Sequence, residues 1–334
     1  MSQKTFLVVT TIADSGHPVL KTLANESIRN GIPFIVIGDA GTPQHFLLEG
    51  CDYFPLERQY KLDFSLALKL PEKHYARKNL GYLVAMASHA DVIIETDDDN
   101  VPYETFWDFR NSEHNAVVYR NAGWVNVYRH FTDLNIWPRG FALEQINEPM
   151  PGTGTTETVY CPIQQGLADA NPDVDAIYRL TSRLPVTFIN DQKVALGGGC
   201  VCPFNSQNTT WFTEAFPLMY LPSYCSFRMT DIWRSLIAQQ ISSHYGWHLL
   251  FHGSTVKQER NEHNLMNDFR DEIPGYIHNA EIVKNLDKIS LAEGKRNMAG
   301  NLKKCYEVLI EMKIIDDREL KLLEAWLTDI ASLK

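Results

Sequence analysis

An α/β fold is predicted: a mixed, mainly parallel sheet flanked by helices, with a C-terminal helical appendage. Three observations predict it. Short uninterrupted apolar runs recur near the N-terminus, as Phe6–Ile12, Phe34–Gly38 and Val92–Ile94. Segments with apolar residues at helical spacing lie between them. From about residue 260 onward, charged residues and Leu/Ile at helical spacing take over. Strand, helix, strand, helix, strand is the pattern of an open parallel sheet wrapped by helices.

Phe6–Ile12 is rich in β-branched residues and reads as a buried parallel strand. Ala13-Asp-Ser-Gly-His-Pro18 ends it with turn chemistry. Val19–Asn30 carries Leu20, Leu23, Ala24 and Ile28 at helical spacing, and Gly31-Ile-Pro33 stops that helix. Phe34–Gly38 is a second buried strand, ending at Asp39. Residues 75–89 read as a helix with Leu80, Leu83, Val84 and Ala87 on one face. Asp91–Thr96 is a third strand and runs directly into Asp97-Asp98-Asp99-Asn100. Residues 120–230, rich in Pro, Gly, Asn and aromatics, read as a mixed half with long loops. Ile232–Ile241 is a further helix, and Trp247–Phe251 is strand-like. Leu302, Tyr306, Leu309 and Ile310, then Leu320, Leu323, Trp326, Leu327 and Ile330, mark two C-terminal helices. The expected division is 1–258, carrying the site, and 259–334, the appendage.

Of 334 residues, 44% are hydrophobic and 22% charged, which excludes a disordered or fibrous chain. Lys and Arg number 31 against 41 Asp and Glu, a net charge of −10. Such a chain is a poor general binder of nucleic acid, which needs clustered cations. No run approaches the roughly 20 apolar residues of a membrane span. The N-terminus lacks a signal-peptide pattern. The expectation is a cytoplasmic protein without a transmembrane segment, still compatible with peripheral membrane contact. Six cysteines include only one close pair, Cys200 and Cys202, whose spacing is not that of a zinc site. They read as reduced thiols.

Ligands of open parallel sheets sit beyond the carboxyl ends of the strands. Thr10-Thr11, Asp39 and Asp97–Asp99 all fall at such ends. Three adjacent carboxylates repel one another, and a hard divalent ion with oxygen ligands compensates them. Mn²⁺ or Mg²⁺ held by Asp99 with Asp97 is the expected cofactor, leaving positions for phosphate oxygens; a solvated acidic turn is the plainer alternative. Arg77 and Lys78, at the helix start before the strand, would supply cations. Asp39 would accept from a uracil edge or a ribose, or serve only as a turn residue. Gly197-Gly-Gly199 would let backbone approach a ligand, or simply form a loop needing positive φ.

Arg77-Lys-Asn-Leu-Gly-Tyr82 followed by Ile94-Glu-Thr-Asp-Asp-Asp-Asn100 resembles the basic helix start and DxD site of GT-A (Rossmann-type) glycosyltransferases. Ile136-Trp-Pro-Arg-Gly-Phe-Ala-Leu-Glu144 is similar to the STELLO family of glycosyltransferases. So are Ile163-Gln-Gln-Gly166, Asn171-Pro-Asp-Val-Asp175 and Pro203-Phe-Asn-Ser-Gln-Asn-Thr209. The resemblance spans about residues 5–255. A more distant likeness is to the plant UDP-arabinopyranose mutases, the reversibly glycosylated polypeptides. Their DDD triplet, Arg-Gly, D-x-W and later His find counterparts in Asp97–Asp99, Arg139-Gly140, Asp231-Ile-Trp233 and His252. Unlike plant STELLO proteins, this sequence shows no membrane anchor.

The resemblance implies a metal-dependent glycosyltransferase, with surface glycan biosynthesis as one setting. It would move a sugar from a nucleotide diphosphate sugar, UDP-sugar first, to a glycan or other hydroxyl acceptor. Thr10, Thr11, Ile12, Asp39, Arg77, Lys78, Asp97 and Asp98 would bind the donor. Asp231 would be general base on the acceptor side of an inverting transfer, or a helix cap. His252 would complete the metal shell with Asp99 and Asp97, or be structural, with His248 and His263 as rivals. Arg139, framed by Pro138 and Gly140, would reach the donor's phosphate or sugar. A surface salt bridge with Glu144 or Glu148 is the alternative for it. A competing activity is a UDP-sugar mutase or self-glycosylating protein that uses Arg139. A third, non-enzymatic reading is a nucleotide-sugar-binding scaffold acting through the helical tail. The intact acidic triplet, Lys78 and Asp231 argue against it.

Overall fold

A computed structural model describes residues 3–189, 192–259 and 264–333. The N-terminal third follows the predicted alternation: β1 (Thr5–Thr11), α1 (Pro18–Asn30), β2 (Phe34–Gly38), β3 (Asp52–Phe54), α2 (Leu56–Gln59), α3 (Lys78–Ala87) and β4 (Val92–Thr96). β1 pairs in parallel with β2 and β4, and β2 with β3. The strands read as continuous apolar runs because both faces are covered. Val8, Ile35, Ile37 and Ile93 pack with Leu80, Tyr82 and Leu83 of α3 on one face. Leu7, Val9, Phe34, Val36, Val92 and Ile94 pack with Val19, Leu20, Leu23 and Ala24 of α1 on the other. Gly81 lets α3 lie close: a Cβ there would stand 2.5 Å from Val8 Cγ1. The helix expected from residue 75 begins as a 3₁₀ turn, Tyr75–Arg77, before α3.

The middle of the chain forms β5 (Asn100–Pro102), β6 (Glu113–Tyr119), β7 (Gly123–Trp124), β8 (Thr155–Tyr160), β9 (Ile163–Asp169), α4 (Ala176–Thr181), β10 (Lys193–Leu196), β11 (Cys200–Val201), β12 (Asn208–Phe212), α5 (Thr230–His244) and β13 (Leu249–Gln258). Among the described residues the main sheet has eleven strands. Its order is β3-β2-β1-β4-β12-β9-β13-β10-β6-β8, with β5 on β13. β12 runs antiparallel to both β4 and β9, so its leading loop meets the trailing end of β4. β9 and β13 run with the first four strands, which keeps the sheet mixed and mainly parallel, as expected. Gly197–Gly199 form the turn between β10 and β11, where Gly199 takes φ 73°; they do not reach the ligand-sized cavity described below.

Three helices close the chain: α6 (Leu265–Leu286), α7 (Met298–Glu311) and α8 (Glu319–Ser332). They are not an appendage on a separate core. Ile282, Leu286, Leu302, Tyr306, Leu309, Leu323 and Trp326 belong to the same buried cluster as Leu80, Trp233 and Leu236. Polar ties run alongside. Asp329 accepts from the Ser65 and Leu66 amides at 2.7 and 2.9 Å. Buried Glu319 accepts from the Ser223 and Tyr224 amides and the Tyr220 hydroxyl. The expected boundary at 258/259 therefore separates no two cores. No helix among the described residues is long and apolar enough to cross a membrane.

Candidate functional site

A cavity of about 700 Å³ opens beyond the carboxyl ends of β1, β2 and β4. That is the size of a small-molecule site, in the position open sheets use. Thr10, Thr11, Ile12, Asp39, Arg77, Asp97, Asp98, Asp99, Arg139 and Asp231 all line it. Lys78 sits directly behind the wall, fully buried, with its ammonium on Asp97 at 2.8 Å and on the Ser206 carbonyl at 3.3 Å. The chain thus gathers residues over 200 positions apart into one crevice.

Each member of the acidic triplet is held differently. Asp97 is paired with Lys78. Asp98 accepts from the Thr11 hydroxyl. Asp99 is 8% exposed, accepts from Gln258 Nε2 at 3.0 Å through Oδ2, and leaves Oδ1 buried with no hydrogen-bond partner. Burial, reinforced by the Asp97 charge, pushes its carboxyl up to about 7. An orphaned carboxylate oxygen beside two more carboxylates fits a hard divalent cation, which would supply the missing charge. Among the described residues no three His, Cys, Asp or Glu side chains are already grouped as a metal cage. A cation here would rest on one or two carboxylates and take its other oxygens from ligand and water.

On the β2 side, Asp39 takes the backbone N–H groups of Lys73 and His74 at 2.9 and 2.8 Å. It therefore fixes the loop that leads into α3. Arg77 spends most of its fork on the cavity wall, on Gln59 Oε1 at 2.7 Å and the Leu70 carbonyl at 3.0 Å. Its Nη2 is buried without a partner. Ile12 stands 67% exposed at the cavity.

Arg139 departs from expectation. Its Nε and Nη2 grip Asp173 at 2.8 Å each, Nη1 and Nη2 grip Asp231 at 3.0 and 2.9 Å, and Nη1 also meets the Arg228 carbonyl. All five N–H donors are committed, so it has none for a phosphate or sugar. The alternative, a surface salt bridge to Glu144 or Glu148, is not formed either. Nor does Asp231 suit the part of base as it stands. Burial raises its carboxyl, but the Arg139 charge and hydrogen bonds outweigh burial and hold it near 2. Its oxygens also accept from the Ser206 and Ile232 amides. Proton acceptors work best near the operating pH. The cap reading fails as well: α5 starts after Met229 with no side-chain cap.

His252 is not brought to the cavity. It pairs across β13 with Lys193 and Gly166, and its Nδ1 contacts the Gly253 carbonyl at 2.9 Å. Burial, then Arg110, lowers it to about 4. The β13 residue that meets the triplet is Gln258, six positions on. His248 contacts Arg120 instead, and His263 lies outside the described residues.

Sequence reasoning missed Lys73, His74, Tyr75, Asp173, Arg179, Ser206, Phe227, Arg228 and Gln258 as cavity residues. Asp173 had a signal, since Asn171-Pro-Asp-Val-Asp175 is one of the strings that carry the resemblance. Two C-terminal contacts brace this half. Glu272 of α6 pairs with Arg228 at 2.8 Å, and Asn279 donates to the Gly140 carbonyl at 2.8 Å. Gly140 has φ 84°, and a Cβ there would lie 2.3 Å from Ile232 Cγ2.

Comparison with known proteins bears out the resemblance to STELLO glycosyltransferases. Residues 228–334 match the family model of that description, a stretch that begins after the last of the quoted STELLO strings and runs through the C-terminal helices. Over 90% of the chain, it is 27% identical to the probable glycosyltransferase STELLO2 of Arabidopsis thaliana. Over 91%, it is 24% identical to the probable glycosyltransferase STELLO1 of the same plant. The chain spans only 41% and 42% of the length of these two relatives. Among solved structures, the M. tuberculosis glucosyl-3-phosphoglycerate synthase matches with a TM-score of 0.41 and 11% identity, over 84% of this chain and 81% of that one.

Proposed function

We propose that the cavity binds a nucleotide diphosphate sugar, a UDP-sugar first, and transfers the sugar to a hydroxyl of a glycan or other acceptor. The observation that carries this reading is the orphaned Oδ1 of Asp99 amid three adjacent carboxylates, in a ligand-sized cavity at the strand ends. Similarity to proteins named glycosyltransferases supports the same class. Asp99, with Asp97 assisting, would hold Mn²⁺ or Mg²⁺. Such an ion would offset the charge of the diphosphate and of the departing nucleotide. Lys78 holds Asp97 in place and works against the burial that raises its carboxyl, and Thr11 orients Asp98. Ile12 gives an apolar surface at the end of β1, and Arg77 Nη2 an unused donor in the wall.

The mutase reading gains no support, because the Arg139 nitrogens are all occupied as donors. The test is a thermal-shift panel of nucleotide sugars with and without Mn²⁺. Ligands that bind the folded state raise its melting temperature. The expected result is stabilisation by one nucleotide sugar that needs the metal and disappears in Asp99→Asn. Because a proton competes for Asp99, that stabilisation should weaken as pH falls below about 7. Equal stabilisation in EDTA would exclude the cation, and no stabilisation by any nucleotide sugar would exclude the donor.

A further inference from the structure

Tyrosine hydroxyls each carry one proton to give. In this chain most buried tyrosines give it to the protein. Tyr82 donates to Glu95, Tyr128 to the Asp173 carbonyl, Tyr220 to Glu319 and Tyr306 to the Tyr220 carbonyl. Tyr75 differs. Its hydroxyl receives a hydrogen bond from the Asp231 amide at 3.0 Å, and among the described residues no acceptor takes its own proton. Tyr75 lines the cavity. The group is also held in place. Asp39 fixes the amides of Lys73 and His74, and the Ala76 amide returns to His74 Nδ1 at 3.0 Å. The Tyr75 ring stacks on His74 with centroids 5.7 Å apart and meets Phe227 edge-on at 5.0 Å.

The surroundings specify what would accept that proton. The hydroxyl stands at the N-terminus of α5, a helix of fifteen residues, where the helix dipole favours negative charge. Asp231 in that first turn shares the Arg139 charge with Asp173. Lys73 lines the same cavity, as does Arg228, which is paired with Glu272. We infer that Tyr75 is a donor-contacting residue whose hydroxyl hydrogen-bonds a terminal phosphate oxygen of the nucleotide diphosphate. This rests on the nucleotide-sugar reading above.

Tyr75→Phe removes the hydroxyl and keeps the ring between His74 and Phe227. Calorimetric titration with Mn²⁺ present would use uridine, guanosine and adenosine di- and monophosphates on the wild-type chain. The best-bound base is then carried to the variant. Hydrogen bonds to charged groups are the stronger kind, so the diphosphate should weaken on the order of ten-fold or more in Tyr75→Phe. The monophosphate, lacking the terminal phosphate, should change by less than about three-fold. A merely structural role, through loss of the Asp231 amide contact, would weaken both equally, and that result overturns the inference. So does an unchanged diphosphate affinity in a variant with wild-type melting temperature. A wild-type chain that binds none of the diphosphates overturns the nucleotide-sugar reading itself, and this inference with it.

Discussion

Arg139 joins Asp173 and Asp231 by two pairs of near-parallel hydrogen bonds, with only 6% of its side chain exposed. Breaking a buried pair by removing one partner strands the other charge and costs about 3–5 kcal/mol. Asp231→Asn leaves Arg139 on Asp173 alone, so it should cost part of that and lower the melting temperature by several degrees, read by circular dichroism. The sign with pH follows. The Asp231 carboxyl is depressed in the folded chain, so its contribution is present above about 4 and lost as pH falls through about 2. The gap between wild type and variant should close over that interval. A base role predicts the opposite pattern, a 10²–10⁴-fold rate loss, roughly, on an unchanged melting curve. Intact mass after incubation with donor and Mn²⁺ should show no sugar adduct on Arg139. The frame of Pro138 and Gly140 did mark a side chain aimed at one place. Its targets were not legible, because Asp173 and Asp231 lie 34 and 92 residues away. That Asp99 lines the crevice was legible for a local reason: the triplet directly follows an apolar strand, at the end where open sheets place ligands.

At the level of elements, β1, α1, β2 and β4 were readable because each buries a periodic or continuous apolar pattern against its neighbours. The stretch from 120 to 230 was not, since its strands are short and its loops are fixed by distant partners. Gln165 is an example: its Oε1 accepts from the Asn205 amide at 2.9 Å, forty residues on. His252 was misassigned because β13 continues past it, through a register shift, to Gln258. α6 shows how a helix read as peripheral can brace the crevice. Its Glu272 is fully buried and accepts from the Ala176 amide at 2.7 Å, the Tyr276 hydroxyl at 2.6 Å and Arg228 at 2.8 Å. Removing that carboxylate leaves Arg228 unpaired at the cavity and the first turn of α4 without its acceptor. Glu272→Ala should cost about 3–5 kcal/mol in a urea titration. Glu272→Gln, which keeps an acceptor and loses the charge, should cost less. Equal, negligible shifts in both would show that α6 is not a brace.

For the whole molecule, the decisive question is whether residues 1–258 can fold without the helices that follow. The sequence invited that division, because helical spacing and charge rise together after residue 260 and amphipathic helices often pack on their own. The packing argues otherwise. Trp326 is fully buried and donates to the Pro217 carbonyl at 3.0 Å, while Leu323 and Tyr306 sit in the core that α3 and α5 also fill. Fully burying one such apolar side chain contributes about 1.5–3 kcal/mol, so a handful of them matches the whole net stability of a domain, about 5–15 kcal/mol. Cutting at 258 would bare the α5 face and strip the acceptors of the Ser65, Leu66, Ser223 and Tyr224 amides. The 1–258 fragment should show no cooperative thermal transition and no near-ultraviolet circular dichroism from its tryptophans. Trp326→Ala in the full chain should lose about 3–5 kcal/mol while still melting in one step. A fragment that melts cooperatively with native-like tryptophan signals would restore the two-unit division, and with it a crevice that needs no support from the C-terminal helices.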